Sequence, residues 1–331
     1  MVRTERILCL LPSLVVFIVV VDARSLFPSS HEDPSRVKHF QDELDSQRGY
    51  WSPSTSSIDW CERNYVVTHY IAEFWNCLSS LSMSVIAGIL FVRGLSNKLE
   101  HRFLLLSFSF GIVGLGSAYF HGTLTHWGQM ADELPMVYSM IVWWYLLFHM
   151  NPLFNTSDTV VVLFALTYGL VWTYVHSLQS FVLIFQGHFT LMVIGGILRL
   201  IFLSRQSLYR TSQIFYLVMF YAGLLIPASI CWLVDQHFCE RLNADDARFN
   251  PQFHAWWHLI CAVDCHVGIV CAEAMRFLSI KSHQHEQQRH SESLDRPFRP
   301  ADHLRLHFYF GLPFVDYSSE RRIDQVKDHD S

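Results

Sequence analysis

Seven runs of about 20 predominantly apolar residues recur along the chain, and that is the length a helix needs to cross the hydrocarbon core of a bilayer. They fall at roughly 70–92, 103–121, 133–150, 159–176, 180–200, 214–234 and 255–278. A soluble helical protein does not repeat such stretches with so few charges between them. Composition agrees: of 331 residues, 51% are apolar, 15% aromatic and only 16% charged, against about 25% charged in soluble domains. The expected fold is all-α, a polytopic membrane protein built as a seven-transmembrane-helix bundle.

The flanks read differently. Arg3 and Arg6 precede the apolar run Ile7–Val21, and Val21-Asp22-Ala23 ends in a small residue, so residues 1–23 read as a signal peptide or a signal anchor. Residues 24–57 are polar and rich in Ser and Pro, a flexible lead-in. Residues 58–278 form the seven-span domain, and 279–331 are expected to be a solvated tail. The net charge of −5 speaks against a nucleic-acid partner. Eight cysteines without a CxxC pair speak against a zinc ribbon.

Loop charge sets the orientation. Arg93, Lys98 and Arg102 follow the first run, Arg199, Arg205 and Arg210 follow the fifth, and the tail is rich in Arg. Residues 122–132 contain no Lys or Arg. The N-terminal segment is therefore expected on the lumenal or extracellular side and the tail in the cytosol, as a signal peptide would also dictate. The sequon Asn155-Thr156-Ser157 then falls on the cytosolic side, where it stays unmodified.

Ionisable groups within spans are costly and are functional candidates by default. Asp59, Glu62, Asn64 and Glu73 provide three carboxylates and an amide within fifteen residues, the oxygen ligands a hard cation takes. A polar leading loop with a chance run of acids accounts for the same residues, although Glu73, placed just inside the first span, then lacks a partner. Ser117 and His121 share a helix face at the end of the second span. The Ser117 hydroxyl has a competing use, bonding back to its own helix. Asp132-Glu133-Leu134-Pro135 opens the third span; there Glu133 reads as a cap, and Asp132 as a cap or a site residue. His254 and His258, at i and i+4, open the seventh span as a zinc-type pair that needs a third ligand.

The expected orientation gathers all four groups in the lumenal leaflet. His121, His254 and His258 then make three ligands with an open fourth position, the arrangement of catalytic zinc. Cys61 and Cys239 fall on the same oxidising side, where a disulfide between them would tie the carboxylate loop to the loop before the seventh span. The other histidines of the spans and their loops, His176 among them, read as interface or packing residues.

Asp59-Trp-Cys-Glu-Arg-Asn-Tyr with Glu73, Gly116-Ser117…His121, Asp132-Glu-Leu-Pro-Met-Val-Tyr-Ser139, Phe253-His-Ala-Trp-Trp-His258 and the tail segment Phe308-Tyr-Phe-Gly-Leu-Pro-Phe together resemble the alkaline ceramidases. These are seven-span membrane hydrolases related to the adiponectin and progestin receptors. The resemblance covers about residues 50–280. It implies hydrolysis of the ceramide amide to sphingosine and a fatty acid. It implies Zn²⁺ on His121, His254 and His258, with Ser117 and Asp132 as catalytic residues. It implies Ca²⁺ on Asp59, Trp60 through its backbone carbonyl, Glu62, Asn64 and Glu73, and it matches the Cys61–Cys239 pairing. The expected partners are ceramide and the bilayer. The expected compartment is the endoplasmic reticulum or Golgi, with the plasma membrane as the alternative. Two other classes compete: a non-catalytic seven-span receptor or regulator that keeps the zinc site, and a transporter, which the lack of paired repeats disfavours.

Overall fold

The computed structural model describes residues 49–150, 158–178, 182–244, 249–292 and 297–317. The leader, most of the lead-in, the sequon and the end of the tail lie outside them. Among the described residues seven long helices follow one another: α1 (Phe74–Ser96), α2 (His101–Thr123), α3 (His126–His149), α4 (Asp158–Leu178), α5 (Val182–Ser204), α6 (Ser212–His237) and, after a short α7 (Cys239–Leu242), α8 (Phe253–Glu292). Six are long and apolar enough to cross a membrane. The remaining one, α3, spans 24 residues but carries Gln129, Asp132, Glu133 and histidines at both ends, which lowers its apolarity without shortening it.

Helix starts follow local chemistry. The Thr125 side chain accepts from the Gly128 N–H at 3.1 Å and caps α3, and Thr211 does the same for Ile214 on α6 at 3.1 Å. The cap at Thr125 corrects one expectation: Asp132 and Glu133 lie almost two turns inside α3, so Glu133 does not cap it.

α8 is the central helix. In its most apolar stretch 72% of residues are buried, against 11% in α4. α1 packs on α2 and α8, α2 on α3, and α6 on α8. α4 shows Phe164, Leu170 and Leu163 outward, a face suited to lipid rather than water.

The tail also departs from expectation. α8 runs on to Glu292, fourteen residues past the expected end, and the chain then returns through α9 (Pro300–His303) into a hairpin. β1 (Leu306–Tyr309) and β2 (Leu312–Val315) pair antiparallel, Tyr309 opposite Leu312. Phe310 and Gly311 both have positive φ, 51° and 80°, as a two-residue primed turn requires. The hairpin is docked. Leu304, Phe314, Val315 and Tyr317 are buried in the main apolar cluster. His266 lies 2.9 Å from the Pro313 carbonyl, and the Arg93 guanidinium sits 4.2 Å from the Phe314 ring centre. Hydrophobic burial and the cation–π contacts of Arg93 with Phe314 and Tyr309 thus fold a segment whose charge alone reads as solvated.

Candidate metal centre

At the opposite end of the bundle α2 and α8 bring three imidazoles together. His254 and His258 stand one turn apart in the first turns of α8, and His121 comes from the last turn of α2. One ring nitrogen from each lies within 4.8 Å of the other two. Ring centres are 5.1 Å apart for His121–His254, 4.9 Å for His121–His258 and 4.6 Å for His254–His258. All three side chains are buried.

Neighbouring groups select which nitrogens face inward. The His121 Nδ1 makes a short contact with the Glu73 carboxylate, leaving Nε2 buried and without a hydrogen-bond partner. The His258 Nδ1 is 2.9 Å from the Ser79 hydroxyl and 3.3 Å from that of Ser80, so its Nε2 is the atom turned to the centre. Trp60 stacks flat on His254, ring centres 3.6 Å apart, and the His254 Nδ1 is likewise buried and unpartnered. A buried unpaired polar atom costs about 1–3 kcal/mol. A cation between the rings would turn these orphaned lone pairs into ligands, so the residues fit a metal ion. Carboxylate and hydroxyl partners on the outer nitrogens are what metal-binding histidines ordinarily have.

Ser117 stands one turn before His121 and takes a hydrogen bond from Ser80 Oγ at 3.0 Å; its own oxygen is 3.5 Å from His258 Nε2. Asp132 of α3 stands near it across the helix interface. That meeting depends on Gly116. A Cβ there would lie 1.8 Å from the Ala131 carbonyl oxygen of α3. Pro135, inside α3, has no N–H to engage that carbonyl. Glycine and proline together let the two backbones touch, which places Asp132 against Ser117. Both line a cavity of about 240 Å³ with His254 and His258 at its polar end and Met83, Phe110, Phe185, Leu225 and Trp232 among its apolar walls.

The residues of the expected cation cluster lie at the start of α1 and in the loop before it. Asp59, Asn64 and Glu73 share one neighbourhood. Asn64 Nδ2 donates to the Asp59 carboxylate at 3.0 Å, and the Trp60 N–H donates to Glu73 at 2.9 Å. Asn64 Oδ1 is buried without a partner. Burial, and after it the charge of Glu73, pushes the Asp59 carboxyl up to about 8. Glu62 lies near enough for its charge to act on Glu73, and its two oxygens accept from the first-turn amides of Trp75 at 2.7 Å and Asn76 at 2.9 Å, so it also caps α1. Glu73 occupies the N-cap position of α1 rather than its interior. Cys61 and Cys239 form a disulfide, Cα atoms 5.2 Å apart, which ties this loop to the segment before α8.

Two polar networks in this region escape a reading of the sequence: the bridge made by Asp235 and the pairing of Glu133 with His176. Asp235, near the end of α6, uses both oxygens, accepting from the Cys61 N–H at 3.0 Å and the His254 N–H at 3.1 Å. A lone acid at the edge of an apolar run was the available signal. Glu133 reaches His176 of α4 at 2.5 Å and accepts from Gln129, whose side chain takes the Ser57 N–H at 2.8 Å. His176 is therefore a buried partner of Glu133, and the last residues of the lead-in are pinned over α3.

The sequence profile of the ceramidase family matches residues 52–297. Alkaline ceramidase 3 of Mus musculus is 32% identical over 292 residues, covering 83% of this chain and 97% of its own length. The alkaline ceramidase of Arabidopsis thaliana is 32% identical over 219 residues, 65% of this chain and 82% of its own. An alkaline ceramidase of Saccharomyces cerevisiae is 29% identical over 259 residues, 70% and 80% of the two chains. With that profile and these relatives in agreement, the chain belongs to the ceramidase family.

Proposed function

We propose that this protein hydrolyses the amide bond of ceramide to a sphingoid base and a free fatty acid, with Zn²⁺ held by His121, His254 and His258. The observation that carries the reading is the convergence of three buried imidazoles, two with orphaned nitrogens, beside an apolar cavity that His254 and His258 line. Three neutral nitrogen donors with room for a fourth ligand suit catalytic zinc. When bound, such an ion supplies Lewis acidity and makes water acidic enough to ionise near pH 7.

The chain's own residues do the rest. Asp132 takes the proton from the attacking water as the carbon–oxygen bond forms, and returns it to nitrogen as the carbon–nitrogen bond breaks. The Ser117 hydroxyl donates to the amide oxygen as negative charge develops there. Glu73 holds the His121 ring, and Trp60 holds that of His254. The apolar walls take the lipid chains and keep bulk water out. Asp59, Trp60, Glu62, Asn64 and Glu73 would hold Ca²⁺, which would tie the loop that carries Trp60 to the start of α1.

The histidine end faces the lumen of the endoplasmic reticulum or Golgi and the tail faces the cytosol. The Cys61–Cys239 disulfide, which belongs in an oxidising compartment, supports that orientation, as does the Arg-rich charge at the other end. Hydrolysis of defined ceramides by the purified chain, with and without chelator, tests the reading. Asp132→Asn is expected to keep its metal by elemental analysis and lose turnover by about a hundredfold or more. Undiminished hydrolysis in that variant, or a wild-type protein inert on every ceramide, overturns it.

A further inference from the structure

The cavity extends past the groups that the proposed hydrolysis uses. It reaches a second acid, Asp264 of α8. Asp264 follows His258 by six residues, about 9 Å along the helix at 1.5 Å per residue. It is only 5% exposed, and its Oδ1 has no hydrogen-bond partner among the described residues. Tyr221, Leu225, Cys261 and Cys265 line the cavity with it. Ser139, another polar side chain on the cavity wall, differs: its hydroxyl is satisfied by the Met136 carbonyl at 2.8 Å.

A buried acid without a partner is destabilising, and more so inside a membrane bundle. A residue chosen for packing alone would be apolar here. What Asp264 lacks is a hydrogen-bond donor, and the cavity is where one would come from. The donor that fits these walls is a neutral hydroxyl, because a cationic group would bring its own desolvation cost into an apolar space.

We propose that Asp264 recognises a hydroxyl on the aliphatic chain of the bound lipid, at a position well removed from the amide that is cleaved. The proposal rests on the reading that the cavity holds a lipid amide. It makes Asp264 a specificity residue, separate from the groups that act on the amide. The hydrogen bond is expected to favour the matching hydroxylated lipid by about 10- to 100-fold over its plain counterpart. Water is the rival occupant: it would satisfy the same oxygen and select no lipid.

The test uses the full chain, wild type, Asp264→Asn and Asp264→Leu, with N-acylsphingosines that differ only in where one hydroxyl sits on the acyl chain. Both binding, by native mass spectrometry, and hydrolysis are measured. Expected is a preference confined to interior positions, lost in Asp264→Leu, while hydroxyls next to the amide show no dependence on Asp264. A preference unchanged by Asp264→Leu, absent from wild type, or equal at every position overturns the proposal. Binding that discriminates without any hydrolysis would sink the amidase reading and leave the Asp264 assignment standing. Asp264→Leu is expected to melt at or above the wild-type temperature, since it removes an unpaired buried acid, so loss of selectivity is distinguishable from misfolding.

Discussion

The two ends of the bundle are held together by different forces. At the histidine end the apolar cluster is small, built on Ala72, Phe120 and Leu124. Order there comes from directional contacts: the Cys61–Cys239 disulfide, both oxygens of Asp235, Glu62 on the α1 amides, and Glu73 on His121. At the hairpin end the main cluster runs from Leu90 to Tyr317, with Leu147, Leu200, Leu203, Tyr209, Ile214 and Leu278 almost wholly buried. Hydrogen bonds add only about 0.5–1.5 kcal/mol each but fix direction; apolar burial contributes far more per side chain and fixes none. Directional polar contacts and apolar burial are thereby separated along the bundle axis. α8 serves both, with His254 and His258 at one end and Leu278 at the other.

If that separation is real, substitutions at the two ends fail in different ways. The largest effect is expected for His258→Ala, which should bind no metal and lose turnover by about a thousandfold or more, as loss of Lewis acid and ligand together implies. Its melting temperature in detergent should stay near that of the metal-free wild type. A collapse of the fold with activity retained in the folded fraction would contradict the division of labour. Phe314→Ala should do the reverse, costing about 3–5 kcal/mol of stability while turnover per folded molecule is unchanged; thermal melting paired with active-fraction kinetics reads both. The smallest effect is expected for Glu73→Gln. It preserves shape but weakens the hold on His121, and should lower metal affinity by about 10- to 100-fold with the hairpin end untouched. Metal competition titration measures it, and wild-type affinity in that variant would remove Glu73 from the metal centre.

Much of this was legible in the residues. The seven helices announce themselves because a lipid-facing helix must be apolar over a fixed length, and length and hydropathy are local properties. The histidine pair on α8 was readable because i and i+4 share a face on any helix. The start of α3 was misplaced because His126 to Ala131 are too polar for a hydropathy window, although Thr125 caps them. Glu133 was misread for the same reason: a helix begun at 133 makes it a cap, whereas a helix begun at 126 aims it at His176. The tail was misjudged because its charge suggested solvation, while four apolar side chains spaced along it dock on α8 and its neighbours.

Alone, the sequence determined the helical membrane bundle, the order of the spans, and the donor types available at one end, since each follows from local length, period and residue chemistry. Only the tertiary structure decided which donors meet. That His121 closes with His254 and His258, that Asp235 bridges Cys61 and His254, that Gly116 lets Ser117 reach Asp132, and that Glu62 turns to the α1 amides are outcomes of packing between segments far apart in the chain. No local pattern encodes such distances, because they are set by how helices with small residues and a proline at their contacts approach one another.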